Sequence, residues 1–219
     1  LSHIPEDRHK HGLVLDYTLE KNMVLQRYGG AQRGDMLVTC ATIAQSFMLV
    51  VTMPLGGITG GTQSILSYNY GACHVGRVRA GQRRIFGLCL GFTALMTAVA
   101  WLGGPLFVRL FTADAQVAAQ AQWAIRVCTL SLLPLGLQYE IVDGFTAIGQ
   151  VRYSLPLSFW RKLVYFVALF VCPALFGAEA AFFAEPISDL LGPAVSIVVY
   201  LLVMNRVLKK RLQTRRTEP

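Results

Sequence analysis

Five long apolar stretches dominate the chain, and each is long enough to cross a lipid bilayer as a helix. They cover residues 36–67, 85–111, 121–148, 154–176 and 182–208. The apolar core of a bilayer requires about 20 residues of helix, so the pattern predicts an all-α membrane protein with five transmembrane helices. Every stretch contains Gly or Pro, which neighbouring helices tolerate inside a membrane. We expect the first stretch to be interrupted at residues 53–57, "MPLGG".

The start of the chain does not follow this pattern. Residues 1–18 are polar and predict a disordered segment, whereas residues 19–30, "LEKNMVLQRYGG", have the character of the end of a further helix. The predicted organisation is therefore a polar segment over 1–18, a helical membrane lobe over 19–208 that includes this helix remnant, and a basic cytoplasmic tail over 209–219. An odd number of spans after a partial helix indicates a truncated chain.

The charged residues support a membrane location and indicate an orientation. Only 15% of the 219 residues are charged, against about 25% in soluble domains. The net charge of +8 does not indicate nucleic-acid binding, because most basic residues lie beside apolar stretches and form no stripe with aromatic residues. The links at 111–120 and 176–180 contain no Lys or Arg. The other links and the tail are basic, which predicts that they and the C-terminus are cytoplasmic.

The sequence carries no signature of an enzyme or of a metal centre. Its five cysteines show no paired spacing, and no histidine lies in an apolar stretch. The motifs HExxH, GxSxG and the phosphate-binding P-loop are missing. We therefore expect no enzymatic activity, no metal site and no cofactor.

Two acidic residues in the third stretch are the main candidates for ion chemistry. Glu140 and Asp143 are three residues apart, which places both carboxyl groups on one helix face. Ionisable side chains inside a membrane are costly and are functional candidates by default. Two desolvated acids this close cannot easily both ionise, so a proton or a cation could bind between them. The alternative is that one lies near the lipid headgroups or pairs with Arg161 or Arg126.

Three further charged residues favour a structural interpretation. Glu185 and Asp189 share one face at the start of the fifth stretch, where the helix dipole favours acids. Arg161 lies in the fourth stretch and could extend toward the cytoplasmic surface. These three are therefore predicted to be structural or secondary polar residues.

Several motifs together resemble bacterial multidrug and toxic compound extrusion (MATE) transporters. "MPLGGITGGTQSILSYNYGA" before an arginine-rich link resembles their eighth helix, and "LPLGLQYEIVDGFTAIGQ" resembles their tenth. "LPLSFWRKLVYFVAL" and "AEPISDLLG" are similar to the eleventh helix and to the start of the twelfth. The resemblance covers residues 19–210 and implies the carboxy-terminal lobe of a two-lobe transporter in the bacterial cytoplasmic membrane.

The resemblance also implies an activity and its partners. It implies export of small cationic, amphipathic compounds in exchange for H⁺ or Na⁺ by alternating access, together with an amino-terminal lobe. The substrate-cavity candidates are Gln63, Asn69, Gln138 and Tyr139, and the ion-coupling candidates are Glu140 and Asp143. Two alternatives stay open: a lipid-linked oligosaccharide flippase of the same superfamily, and a truncated membrane fragment that does not transport.

Overall fold

The protein is a bundle of helices in the part of the chain that the structure describes. The structure, a computed structural model, describes the backbone of residues 31–217 and the side chains of residues 35–213. The predicted polar segment at 1–18 and helix remnant at 19–30 lie outside the described residues. The described elements are α1 (Ala31–Gly71), α2 (Val75–Arg109), α3 (Ala115–Thr129), α4 (Leu132–Ala147), α5 (Val151–Phe176), a 3₁₀ helix (Ala178–Phe183) and α6 (Ala184–Thr217).

The predicted class of all-α membrane protein is confirmed. Within residues 31–217, the four helices α1, α2, α5 and α6 are each long and apolar enough to cross a membrane. Helices α3 and α4 meet at an angle of 46° and supply a fifth span if they are counted together. The described chain therefore has four membrane-spanning helices, or five with the bent pair.

The third predicted span, residues 121–148, is not one continuous helix. It is broken between Thr129 and Leu132, where α3 ends and α4 begins. Pro134 lies in the first turn of α4, where its missing N–H removes no hydrogen bond of that helix. In an unbroken helix the same proline would leave the carbonyl of Leu130 without a donor, and its ring would collide with the preceding turn. The break before Pro134 avoids both costs.

The expected interruption at residues 53–57 is wrong, because α1 runs through it. Pro54 lies inside the helix. Backbone groups inside a bilayer must be satisfied within the protein, which favours continued helix on both sides of the proline. Only the carbonyl of Val50 then loses its helical donor, the N–H that Pro54 lacks. Threonine hydroxyls in α1 donate to carbonyls of the preceding turn, as Thr52 does to Met48 (2.9 Å) and Thr62 does to Ile58 (2.8 Å). The apolar surroundings therefore keep the chain helical where the sequence pattern predicts a break.

The arginine-rich link after the first span is also shorter than predicted. Arg77, Arg79, Arg83 and Arg84 lie in the first turns of α2, because arginine is a good helix former and helices can extend past the bilayer. Arg79 donates to Asn205 of α6 (3.2 Å), and Arg211 donates to the carbonyl of Gly71 at the end of α1 (3.1 Å). These contacts bring the end of α1, the start of α2 and the end of α6 together. We call this end of the bundle the basic end.

Two apolar clusters hold the bundle together, one in each half. The half away from the basic end packs α1, α2, α3 and α4 around residues such as Phe47, Ile125 and Leu132. The half at the basic end packs α1, α2, α4 and α6 around residues such as Leu66 and Phe145. Helices α1, α2 and α4 contribute to both clusters, and α4 packs against α1, α2, α5 and α6, which places it at the centre of the bundle.

A glycine allows α4 to approach α2 closely. A Cβ atom on Gly136 would lie 2.9 Å from Cγ2 of Thr93 and 3.4 Å from the backbone oxygen of Cys89. Small residues are the usual means by which membrane helices come into close contact. Because Thr93 is branched at Cβ and fully buried, its side chain has little freedom to move away.

We therefore expect Gly136→Ala to destabilise the bundle. Overpacking of a buried contact costs about 1–3 kcal/mol, and the measurement is the free energy of unfolding of the detergent-solubilised chain. The matched control is Gly91→Ala in α2, where an added Cβ meets nothing within 4 Å. Equal stability of the two variants would contradict the close contact between α2 and α4.

Candidate functional site: a polar cavity and a buried carboxyl group

A cavity of about 430 Å³ lies in the half of the bundle away from the basic end. Its walls come from the first half of α1, from α4 and α5, and from the start of α6 with the preceding 3₁₀ helix. Apolar side chains such as Leu37, Met48 and Leu135 alternate on these walls with a small number of charged and amide groups. This combination of apolar surface and few convergent polar groups is typical of a small-molecule site.

An ion pair joins two walls of the cavity. Nη1 of Arg161 in α5 lies 3.1 Å from Oδ1 of Asp189 in α6, and the Asp189 side chain is only 3% exposed. The hydroxyl of Ser188 lies 3.4 Å from the same carboxylate oxygen. The Arg161 guanidinium also lies over the ring of Tyr139 in α4, 5.7 Å from its centroid. Arg161 therefore connects α4, α5 and α6 at the cavity wall.

A second carboxyl group in the cavity, that of Glu185, accepts a hydrogen bond from an amide or hydroxyl donor at only one of its two oxygens. The amide Nε2 of Gln45 in α1 donates to Oε1 of Glu185 in α6 over 2.9 Å. The other oxygen, Oε2 of Glu185, is buried and accepts no hydrogen bond among the described residues. The thiol of Cys128, a weak donor, lies within hydrogen-bonding reach of the Glu185 carboxyl group, and its sulfur is also 4.0 Å from the carbonyl oxygen of Phe182. Glu185 therefore presents an acceptor with free capacity in a mostly apolar cavity.

Gln138 is buried and does not line the cavity. It is 2% exposed, and its Nε2 donates to the carbonyl of Leu157 in α5 over 3.3 Å. A Cβ atom on Gly192 of α6 would lie 2.7 Å from Oε1 of Gln138 and 2.9 Å from Cγ of Arg161. Only a residue without a side chain allows α6 to pack this closely on Gln138 and Arg161.

Glu140 lies on a different face of α4 from Tyr139, away from the cavity. It is 1% exposed, and both of its carboxyl oxygens lack a hydrogen-bond partner among the described residues. The neighbouring polar groups are Gln82 of α2, close to the same turn of α4, and Tyr200 of α6, within electrostatic reach. Asp143 is partly exposed and lies one turn further along α4, as the spacing predicts. Neither acid lines the cavity.

The remaining predicted substrate residues lie elsewhere. Gln63 and Asn69 are partly exposed in the second half of α1, toward the basic end, and Asn69 donates to the carbonyl of Ile65 in its own helix (2.8 Å). Of the predicted substrate residues, Tyr139 alone lines the cavity within the described part of the chain. A role for the others on a surface between two lobes stays a prediction.

The sequence predicts a structural or secondary polar role for Glu185, Asp189 and Arg161, and the structure places all three at the cavity wall. It assigns no role to three other polar residues of these sites. Gln45, Gln82 and Tyr200 received no role because they are uncharged at neutral pH, and a search for ionisable groups passes over them. A search for amides inside apolar stretches could have found Gln45, whereas Gln82 lies in the arginine-rich link before the second stretch.

The ion pair yields a prediction about stability. Arg161→Met should cost about 3–5 kcal/mol, because it leaves the buried Asp189 carboxylate without its counter-charge. Arg161→Met combined with Asp189→Leu should recover much of that loss, since neither charge is then left buried alone. The measurement is the free energy of unfolding in mixed micelles, with Lys162→Met at the exposed neighbouring position as control. A loss for Arg161→Met no larger than that of the control would contradict this role of the ion pair.

Comparison with known proteins agrees with this architecture. Two relatives are both described as multidrug export protein MepA: one from Staphylococcus aureus (strain NCTC 8325), 28% identical over 196 residues, and one from Staphylococcus haemolyticus, 23% identical over 188 residues. The alignments cover 87% and 85% of this chain. In both cases the chain spans 40% of the relative's length.

Solved structures of transporters share the fold of the chain. The Vibrio cholerae MATE transporter VcmN in its bent form matches with a TM-score of 0.71 at 18% identity, over 86% of this chain and 41% of that one. The MATE multidrug transporter DinF-BH matches with a TM-score of 0.72 at 25% identity, over 86% and 41%. The family model described as MatE matches residues 22–171. This chain therefore belongs to the MatE family, in agreement with the resemblance of its helix motifs.

Proposed function

We propose that this chain is the carboxy-terminal lobe of a two-lobe membrane transporter that exports cationic, amphipathic compounds in exchange for H⁺ or Na⁺. The observation that carries the proposal is the cavity, in which the buried, unpartnered Oε2 of Glu185 faces largely apolar walls among the described residues. A cation with an apolar body offers both kinds of contact that such a site requires. The proposal concerns transport and includes no enzymatic step.

The size and chemistry of the cavity suit such a compound. Its volume of about 430 Å³ lies within the range of about 300–1,000 Å³ that small-molecule sites occupy. Methionine at position 48 and the aromatic rings of Tyr139 and Tyr165 supply polarizable surface. A cation can also be attracted by the face of an aromatic ring. The relatives called multidrug export proteins and the multidrug transporter DinF-BH support this class of ligand.

The proposed orientation places the cavity in the outer half of the membrane. Lys and Arg gather at the basic end, and the positive-inside rule assigns such an end to the cytoplasm. We therefore place the C-terminus in the cytoplasm of a bacterial cell, with the lobe in the cytoplasmic membrane. The cavity lies in the opposite half, where an exported compound would be released.

Ion coupling is assigned to Glu140 and Asp143. An antiporter needs a group whose occupation by an ion opposes occupation of the substrate site. Glu140 is adjacent in sequence to Tyr139, which lines the cavity. A change in packing around one of these residues would therefore displace the turn of α4 that carries the other. Because the chain spans about 40% of the length of the relatives, transport is proposed for this lobe acting with an amino-terminal lobe.

We expect Glu185→Gln to weaken binding of ethidium, a cationic and largely apolar compound, to the full chain in lipid nanodiscs. Loss of a charge-assisted contact of about 1.5–3 kcal/mol corresponds to a decrease in affinity of at least about tenfold. The measurement is fluorescence titration of ethidium, with Glu179→Gln as the control, because Glu179 lies at the same end of the bundle but outside the cavity lining.

A neutral aromatic compound of similar size separates the charge effect from a change in cavity shape. Its binding should be nearly the same for the wild-type chain and for Glu185→Gln. Unchanged ethidium affinity in Glu185→Gln would rule out this carboxyl group as the recognition element.

A further inference from the structure

A second polar centre lies between α2, α4 and α6, on the side of α4 that does not face the cavity. Its members Gln82 and Glu140 are each 1% exposed. Nε2 of Gln82 and both carboxyl oxygens of Glu140 have no hydrogen-bond partner among the described residues. Buried polar groups normally have a partner, because an unsatisfied one is costly. Because three unpartnered polar atoms lie close together here, we interpret this place as a binding site for a proton or a small ion.

Gln82 and Glu140 face the same small space, which exists because residue 144 is glycine. The position that a Cβ atom would take on Gly144 lies 3.0 Å from Nε2 of Gln82 and 3.6 Å from Oε1 of Glu140. The amide nitrogen and the carboxyl oxygen therefore approach each other across the face of α4. Any larger residue at 144 would fill the space between them.

Tyr200 of α6 fixes the orientation of the amide. Its hydroxyl donates to Oε1 of Gln82 over 3.2 Å. Its ring is held by edge contacts with Phe86 and Phe145, at centroid distances of 5.5 and 6.2 Å. With Oε1 engaged by the hydroxyl, Nε2 is directed toward Gly144 and Glu140. The amide thus turns its N–H group, and not its oxygen, toward the space that Glu140 also faces, and the two groups make no hydrogen bond there.

The surroundings of Glu140 supply no positive charge in the described part of the chain. The ionisable neighbours are Asp143 on α4, Cys89 on α2 and Tyr200 on α6, while α1 contributes apolar residues such as Leu55 to this cluster. Arg79 of α2 is within electrostatic reach of Tyr200, but its guanidinium donates to Asn205. A buried carboxylate without a counter-charge is strongly unfavourable, so either a proton or a metal cation must neutralise Glu140.

We propose that Glu140, Gln82 and Tyr200 form one proton-binding site, in which Glu140 carries the proton and Tyr200 positions the Gln82 amide against the Glu140 carboxyl group. The amide favours a proton over Na⁺, because a metal cation requires oxygen ligands. Here an N–H group faces the carboxyl group, and the amide oxygen is already occupied by the Tyr200 hydroxyl. Gln82 and Tyr200 are positioning residues. This inference rests on the proposed antiport for its biological role and identifies its coupling ion as H⁺.

Infrared difference spectroscopy of the full chain in lipid nanodiscs tests the site directly. A protonated carboxyl group gives a carbonyl stretching band, and we expect Glu140→Gln to remove one such band. Gln82→Leu should move that band to higher wavenumber, because the carboxyl group loses the polar amide beside it and its surroundings become more apolar. Tyr200→Phe removes a single oxygen atom and should move the band in the same direction by a smaller amount. Tyr153→Phe, in the same aromatic cluster, is the matched control and should leave the band in place.

Replacement of K⁺ by Na⁺ at constant pH separates the two candidate ions. The band should persist, because the site holds a proton. Loss of the band on addition of Na⁺ would overturn the assignment of H⁺, and a band that neither Gln82→Leu nor Tyr200→Phe moves would overturn the positioning role. The measurement needs neither a gradient nor a substrate, so its failure is distinct from a failure of ethidium binding at the cavity.

Discussion

A polar side chain in the interior of a bilayer must find its partner within the protein, and this constraint organises the whole bundle. Arg161 and Asp189 satisfy it with an ion pair, and Gln138 satisfies it in part, because only its Nε2 has a partner, the carbonyl of Leu157. Threonines along α1 satisfy it by donating to carbonyls of the preceding turn. Where the constraint is not met within the described residues, as at Oε2 of Glu185 and both oxygens of Glu140, the chain has acceptors that remain available to a ligand or a proton.

Helix α4 connects these two available groups. Successive residues of an α-helix point about 100° apart, so Tyr139 lines the cavity while Glu140 faces Gln82 and Gly144. A substrate in the cavity would contact one side of α4, and a proton on Glu140 would alter the packing of the other side. The break before α4 and the 46° angle to α3 leave the start of this helix without a continuous helical connection. In the proposed transport cycle, α4 would be the element through which the two sites influence each other.

The sequence predicts the helical class and most of the spans, because apolar length follows directly from the thickness of the bilayer. Local breaks depend on packing instead: Pro54 and Pro134 have similar sequence surroundings, yet α1 continues through the first and the chain breaks before the second. The acids of α4 were found because their spacing is local. The contact of Gln45 with Glu185 joins residues 140 positions apart and arises only when α1 and α6 pack, so no local pattern encodes it.

We propose that a carboxyl group on α4 couples ion movement to export. Ethidium efflux driven by a pH gradient measures this coupling, in proteoliposomes that contain a two-lobe transporter with this chain as its carboxy-terminal lobe. We expect Glu140→Gln and Asp143→Asn each to abolish gradient-driven efflux while ethidium binding is retained. Efflux at the wild-type rate in both variants would rule out ion coupling through these acids of α4.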